Sequence, residues 1–382
     1  GEPQFKRSGQ SVPIEFAGVF THFDGAGWKG SVYVPTLGDV KANLHTSPIA
    51  CRRRECEGDK CEVCAARSAR KLTRIVITRD VDEWFVAIAV SWSEPEPTPI
   101  TVPIVGVNRG IGILAATSTG ELFEGPRFVQ RAQEQLERKQ AVANRRADAR
   151  HARCEAVRRA VDAKNLDAIA AALKGESPKS EFTRWVNAML RWDAEGRRGF
   201  APRCGQGENE KKAREQVAKR HRKTRRQRES HLHMVSRRIA DAAGTVVMEA
   251  LDIQKLTKSA AGTVEAPGTL VQKKANHNRA ALDGGWGALA TMTEYKVVFR
   301  GGTFAKRNPA FAAQTCPVCG HVAAENRPDC RTFLCVKCGH TEQGDVLTGK
   351  NLVAGYVADG TGTAAKKPPK RTKRIFKPKK VA

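Results

Sequence analysis

Acidic residues are scarce in this chain: 40 Asp and Glu stand against 66 Lys and Arg, a formal net charge of +26 over 382 residues. That imbalance excludes an ordinary enzyme of a small substrate. It calls for a polyanionic partner, because each phosphate neutralised by Lys or Arg releases condensed counterions. A solvated basic surface or an anionic lipid layer is the competing explanation. Also missing is any run of about 18 apolar residues, so no segment is expected to span a bilayer. No secretory leader is visible ahead of the first strand pattern. The eleven cysteines gather mainly in two clusters, which points to zinc in a reducing compartment rather than to a disulfide framework.

What the chain does have is two Cys-x-x-Cys-Gly turns, Cys316-Pro-Val-Cys319-Gly and Cys335-Val-Lys-Cys338-Gly, with fifteen residues between Cys319 and Cys335. Each turn offers two thiolates, and two turns complete a tetrahedral zinc shell, the pattern of a zinc ribbon. The other cluster, Cys51, Cys56, Cys61 and Cys64, is a weaker zinc candidate, since only its last pair has the Cys-x-x-Cys spacing.

The pattern predicts short strands over 12–20, 30–34, 40–44, 73–78 and 84–90, separated by Gly-rich turns. A small β-barrel with basic loops suits nucleic-acid backbone. Trp28 and Tyr33 are candidates for base stacking, against the more ordinary role of strand aromatics as core. After a Pro-rich link, residues 102–108 and 111–118 read as a hairpin, followed by a third strand at 121–123. Three antiparallel strands of this kind open a ribonuclease-H-like core. Residues 127–243 read as helical, with breaks near 175–178 and 196–207. They contain a dense basic run, with Lys219, Arg220, Arg222, Lys223, Arg225, Arg226 and Arg228 as candidate nucleic-acid contacts. A buried strand at 245–249, a helix over 276–289, a strand over 295–304 and a helix over 345–356 follow. The basic segment 364–380 has too little apolar content to fold.

A ribonuclease-H-like nuclease needs carboxylates from distant points of the chain to hold two divalent ions roughly 3.5–4 Å apart. Glu249 ends a buried strand and Asp345 opens a helix, as the second and third acids should. Asn351 lies on a neighbouring turn of that helix. The first place, at the end of the strand Val105-Gly106-Val107, is held by Asn108. An amide has the shape of a carboxylate without its charge, and Mg²⁺ prefers hard anionic oxygens, so cleavage is expected to fail. Asp252 is the one nearby acid that could compensate.

Residues 3–6, 72–92, 105–123, 246–256, 278–286 and 294–356, most specifically 314–321, 325–328, 335–340 and 344–352, resemble the TnpB family, RNA-guided nucleases of insertion sequences related to type V CRISPR effectors. The resemblance implies an α+β multidomain chain: a β-barrel wedge domain plus a ribonuclease-H-like (RuvC) domain with a helical insertion and an inserted zinc ribbon. The boundaries expected are 1–100 for a partial wedge barrel with its Cys-rich loop at 51–64, and 101–126, 244–310 and 342–357 for the RuvC-like domain. The basic helical segment takes 127–243, the ribbon 311–341 and a basic tail 358–382. Position by position, Asn108 stands for the first catalytic Asp, Glu249 and Asp345 for the other acids, and Cys316, Cys319, Cys335 and Cys338 for the ribbon ligands. Cys330 has no ligand role in that pattern.

The family likeness further implies structural Zn²⁺, Mg²⁺ at a catalytic position weakened by Asn108, a guide RNA with a structured scaffold, and target DNA. A homodimer stays open, no membrane is involved, and the location is the bacterial cytoplasm, at the nucleoid when bound. Base pairing would read sequence while the protein reads shape and a short adjacent motif. Two readings stand: an RNA-guided nuclease disabled at Asn108, or a naturally nuclease-dead RNA-guided DNA-binding repressor. A transposase is disfavoured by the lack of a His-hydrophobe-His motif or paired Tyr nucleophile. The wedge and recognition segments usual before this point are expected to be missing ahead of Gly1.

Overall fold

The computed structural model describes residues 14–17, 21–22, 29–34, 38–43, 71–91, 103–197, 200–263 and 265–359. Cys51 to Cys64, Trp28, the Tyr33 side chain and the basic tail from 360 onward lie outside them. Contacts divide the chain into two compact units, Gly1–Pro95 with Glu134–Arg222, and Glu96–Gln133 with Lys223–Ala382.

In the first unit, β1 (Ile14–Ala17) joins the long hairpin β5 (Lys71–Asp80) and β6 (Glu83–Ser91) in an antiparallel sheet of order β1-β5-β6. A second antiparallel sheet holds β2 (Thr21–His22), β3 (Lys29–Val34) and β4 (Gly38–Asn43). The described residues between 134 and 222 carry most of α1 (Phe128–Asp162), α2 (Leu166–Leu173), α3 (Glu181–Ala194) and the first part of α4 (Glu208–Ala242). Local chemistry sets the breaks. Asn165 and Ser180 each take extended backbone and accept the N–H three residues on, which starts α2 and α3. The turn after α1, with Lys164 in the left-handed region at φ 52°, is a break absent from the helical pattern. Val157, Val161, Ile169, Trp185, Val186 and Met189 fill a small core between these helices.

The second unit is built on a five-stranded mixed sheet of order β11-β10-β7-β8-β9. Strands β7 (Ile104–Asn108), β8 (Ile113–Thr117) and β9 (Leu122–Glu124) run antiparallel, as their turn residues predict. Strands β10 (Thr245–Glu249) and β11 (Thr303–Arg307) lie parallel to β7. All five residues of β10 are buried, the mark of a central parallel strand covered on both faces. Val105, Val107, Leu114, Val246, Met248, Leu232 and Leu289 make up much of one contiguous core.

Between β10 and β11 come α5 (Ile253–Leu256), α6 (Val271–Gly284) and α7 (Trp286–Phe299). Here the structure corrects the strand expected over 295–304: helix continues to Phe299 and the strand begins only at Thr303. The alternation Tyr295, Val297, Phe299 imitates a strand, but Val297 faces the core at 1% exposure while Tyr295 and Phe299 are exposed. Gly301, at φ 83°, ends the helix and turns the chain into β11. The expected single helix over 276–289 is likewise two, broken at Gly285, which takes φ 67°.

Two short strands, β12 (Thr332–Leu334) and β13 (Thr341–Gln343), lead into α8 (Gly344–Ala358), which packs on β7, β8 and β10. That packing depends on glycine. A Cβ on Gly106 would stand 2.0 Å from the carbonyl oxygen of Gly349, so strand and helix meet backbone to backbone. Among the described residues no helix is long and apolar enough to cross a membrane.

Candidate functional site

The parallel pairing of β7 and β10 puts their C-terminal ends side by side, with Val107 opposite Met248. Asn108 and Glu249 are the last residues of those strands, and α8 delivers Asp345 from its first turn. The three residues, separated by up to 237 positions, share one cluster: Asn108 Nδ2 donates to Asp345 Oδ1 at 2.9 Å. Glu249 is tied in through Arg109, whose backbone N–H donates to Glu249 Oε2 at 3.2 Å.

Arg109 and Gln343 were not singled out by sequence. The Arg109 side chain is buried, with Nη1 donating to the Trp286 carbonyl at 3.0 Å and Nη2 to the carbonyl of Glu249. Its Nε is buried without a hydrogen-bond partner. Burial lowers the Arg109 guanidinium below its ordinary value, and the charge of Glu249 works against that. Burial likewise raises Glu249 above the usual carboxylate range, only partly offset by the Arg109 N–H and charge and reinforced by Asp345. Gln343 caps α8 by accepting the Val346 N–H, and its Nε2 donates to Asp345 Oδ2 at 3.1 Å. A signal existed for each: an arginine directly after the strand-end residue, and a polar residue just ahead of a helix.

The donor set does not fit a pair of magnesium ions. Both Asp345 oxygens accept from amides, Glu249 accepts from a peptide N–H, and a fixed guanidinium lies beside it. Two dications need several bridging anionic oxygens, and among the described residues only two carboxylates, Glu249 and Asp345, converge here. Asp252 does not supply a third, because it caps α5 by accepting the Lys255 N–H at 3.1 Å. Asn351 points elsewhere too: its Nδ2 donates to the Ala312 and Thr315 carbonyls at 2.7 and 2.8 Å, locking α8 to the cysteine-bearing segment.

The cysteines at 316, 319, 335 and 338 do fit a metal. Their sulfur atoms all lie within 4.8 Å of one another, with Cys316–Cys338 at 3.6 Å and Cys319–Cys335 at 3.5 Å. A tetrahedral zinc with Zn–S bonds of about 2.3 Å sets sulfurs roughly 3.8 Å apart. The two turns are built alike. Gly320 and Gly339 take φ 69° and 73°, and their N–H groups bond the Cys316 and Cys335 carbonyls at 3.0 and 2.9 Å. Burial opposes ionisation of Cys335, but the N–H groups of Cys338 and Lys337, together with the Cys319 and Cys338 thiols, bring it down to about 6. Asn326, fully buried, ties the two turns together by donating to the Gln314 and His321 carbonyls and accepting the Val336 N–H. Cys330 is exposed and stands outside the cluster, and His340 faces Glu342 at 3.4 Å rather than a sulfur.

Of the basic run on α4, two members are engaged within the first unit. Lys219 pairs with Asp82 and Glu215 at 2.8 and 2.6 Å, and Arg222 with Asp82 and Glu83 at 2.7 and 3.2 Å. Lys219 above all holds Asp82 down to about 2. Arg225 reaches Glu229 at 4.0 Å and Arg228 reaches Asp283 at 3.9 Å. Arg220 and Arg226 also have partners in the fold.

Against known proteins, the family profile "Cas12f1-like, TNB domain" matches residues 286–352, a span holding the four cysteines and Asp345. A protein of Escherichia coli (strain K12) named as an RNA-guided DNA endonuclease, InsQ, is 26% identical over 292 residues, 75% of this chain and 58% of its own length. A protein of Streptomyces pristinaespiralis, also named as an RNA-guided DNA endonuclease, is 26% identical over 293 residues, 76% of this chain and 54% of its own. The chain therefore spans little more than half the length of these relatives. Among solved structures, a Cas12f1–sgRNA–target DNA complex aligns at 13% identity and a TM-score of 0.44, covering 92% of this chain and 66% of the other.

Proposed function

We propose, from the premise that the chain is TnpB-like, that it is an RNA-guided DNA-binding protein in which two-metal cleavage is disabled at position 108. In this reading the five-stranded sheet with α8 is the RuvC-like domain and the four-cysteine element is an inserted zinc ribbon. The strands before residue 92 then belong to a wedge barrel, and the helical segment grips RNA or heteroduplex backbone. The observation that carries the proposal is the bond from Asn108 Nδ2 to Asp345 Oδ1. Where a nuclease of this plan needs a third anion, this chain has a hydrogen-bond donor. No cleavage step is derived through Mg²⁺, since the residues present do not fit the ion pair.

A second reading, a nuclease-dead repressor by nature, is favoured by the buried Arg109 guanidinium beside Glu249, which supplies positive charge without a metal. One experiment separates the two. The chain is co-expressed with its flanking DNA, co-purified RNA is sequenced, and the native complex and Asn108→Asp are given guide-matched DNA in Mg²⁺. Guide-dependent binding by both, with cleavage only by the variant, supports the first. Binding with continued inertness supports the second. RNA-free protein that binds only double-stranded DNA defeats both.

A further inference from the structure

A cleft in the second unit, beside the Asn108–Glu249–Asp345 cluster, has no role in that proposal. It lies between the β7–β8 loop, the start of α1, the second half of α4, and α6, with a volume of about 420 Å³. That is within the range of small-ligand sites. Its floor is apolar, formed by Leu114 and Leu232, with Ile111 beside them. Phe128 and His231, also in the lining, meet edge to face with ring centres 6.1 Å apart.

The polar part of the lining holds three amides, Gln130, Gln133 and Asn276, and more cations than anions. Arg127, Arg228 and Arg279 line the cleft against one acid, Asp283. That acid is already engaged: both its oxygens accept the Val129 N–H, at 3.2 and 3.1 Å, at the start of α1. It also lies 3.9 Å from Arg228. Arg127 and Arg279 have no side-chain hydrogen bond or ion pair among the described residues. Arg127 moreover sits at φ 48°, a left-handed conformation that glycine takes at less cost.

We propose that this cleft receives one unstacked nucleotide, its base on the Leu114–Leu232 floor against Phe128 and His231, its phosphate among the three arginines. An inorganic anion would leave the apolar floor unused, and an uncharged ligand would leave Arg127 and Arg279 unanswered. Bases stack on aromatic rings whatever their identity, and phosphates pair with Arg forks. Position supports the assignment: Gly110 lines the cleft, and its carbonyl accepts Trp286 Nε1 at 3.2 Å, while Arg109 holds the Trp286 carbonyl. The cleft and the polar cluster thus share one loop. The inference requires neither RNA guidance nor cleavage, so it survives the failure of the preceding proposal.

The test uses the full chain and a single-stranded oligodeoxynucleotide carrying one 5-iodouracil, cross-linked by light and mapped by mass spectrometry. The expected adduct lies on a peptide containing Phe128 or His231. Ala280→Trp, which fills the cleft, and Arg279→Ala, which removes one unpaired cation, should each lower its yield about tenfold, the scale of one charge-assisted hydrogen bond. Displacement of the strand by excess dAMP identifies a free mononucleotide as a ligand too; no displacement identifies a strand unit. Adducts mapping only elsewhere, or a yield on the cleft peptide indifferent to Arg279→Ala, would overturn the proposal. The Arg279 variant keeps the test decisive should Ala280→Trp fail to fold.

Discussion

Exchanging the amide nitrogen at position 108 for an oxygen should have consequences that run in opposite directions with and without metal. Asn108 Nδ2 lies 2.9 Å from Asp345 Oδ1. A carboxylate there would set two anions against each other beside a buried Glu249 and remove a hydrogen bond. Asn108→Asp is therefore expected to lose about 2 kcal/mol of stability in EDTA. Millimolar Mg²⁺ should return it, because a ligand that binds only the folded state stabilises by mass action. Thermal melts in EDTA and in Mg²⁺ check this; an equal Mg²⁺ response from parent and variant would count against it.

Glu249 gives a pH-dependent companion. Its folded pKa is raised above the ordinary 4.5, chiefly by burial. The folded state therefore holds the proton more tightly than the unfolded chain. The stability that this lends is full below the unfolded value and is lost as pH rises through the folded one. Glu249→Gln should flatten that loss, so the variant gains on the parent in melts from pH 4 to pH 8. A constant difference across that range would contradict it. Asn108, Glu249 and Asp345 were legible from sequence because strand ends and a helix start announce themselves through apolar runs and turn residues. Arg109 and Gln343 were not, since what they do is set by which carbonyl or carboxylate the fold brings opposite them.

At the scale of elements, the cysteine-bearing segment was the most legible part. Its spacing, its two glycines and its chemistry all point one way, whereas the strand expected over 295–304 failed because a half-buried helix end can alternate like a strand. The consequence of the four-cysteine element for the site, however, comes only from packing. Phe333, Cys316 and Cys335 enclose Leu347, on the same first turn of α8 that carries Asp345. Removing a metal bound by the four cysteines should loosen that turn. Cys316→Ser, or chelation of the parent, is expected to cost roughly 3 kcal/mol or more, given how much structural zinc contributes to small domains. Hydrogen exchange should then rise at Val346 and Leu347 while the amides of β10 stay protected. Unchanged exchange at Leu347 would break the link between the four-cysteine element and the site. Elemental analysis should find at least one zinc per chain, and two if Cys51, Cys56, Cys61 and Cys64 hold another.

For the whole molecule, the +26 charge predicts that nucleic-acid affinity falls steeply with salt, but not that every basic residue contributes equally. The observed affinity varies with salt as the number of phosphates neutralised, about 0.9 per contact on duplex DNA. A cation already paired inside the protein releases few counterions from the ligand. Lys219, held by Asp82 and Glu215, is such a cation, while the exposed Lys223, four residues along the same helix, has no side-chain partner among the described residues. Measuring affinity for a duplex between 50 and 200 mM salt, Lys223→Ala should lower the slope of log K against log salt by about 1. Lys219→Ala should leave the slope nearly unchanged and lower fold stability only slightly. The basic run that sequence presents as one uniform patch would then divide into residues that hold the first unit together and residues that meet phosphate. Equal slopes for the two variants would mean that the pairs around Lys219 open when nucleic acid arrives, and that total charge rather than free charge sets the affinity.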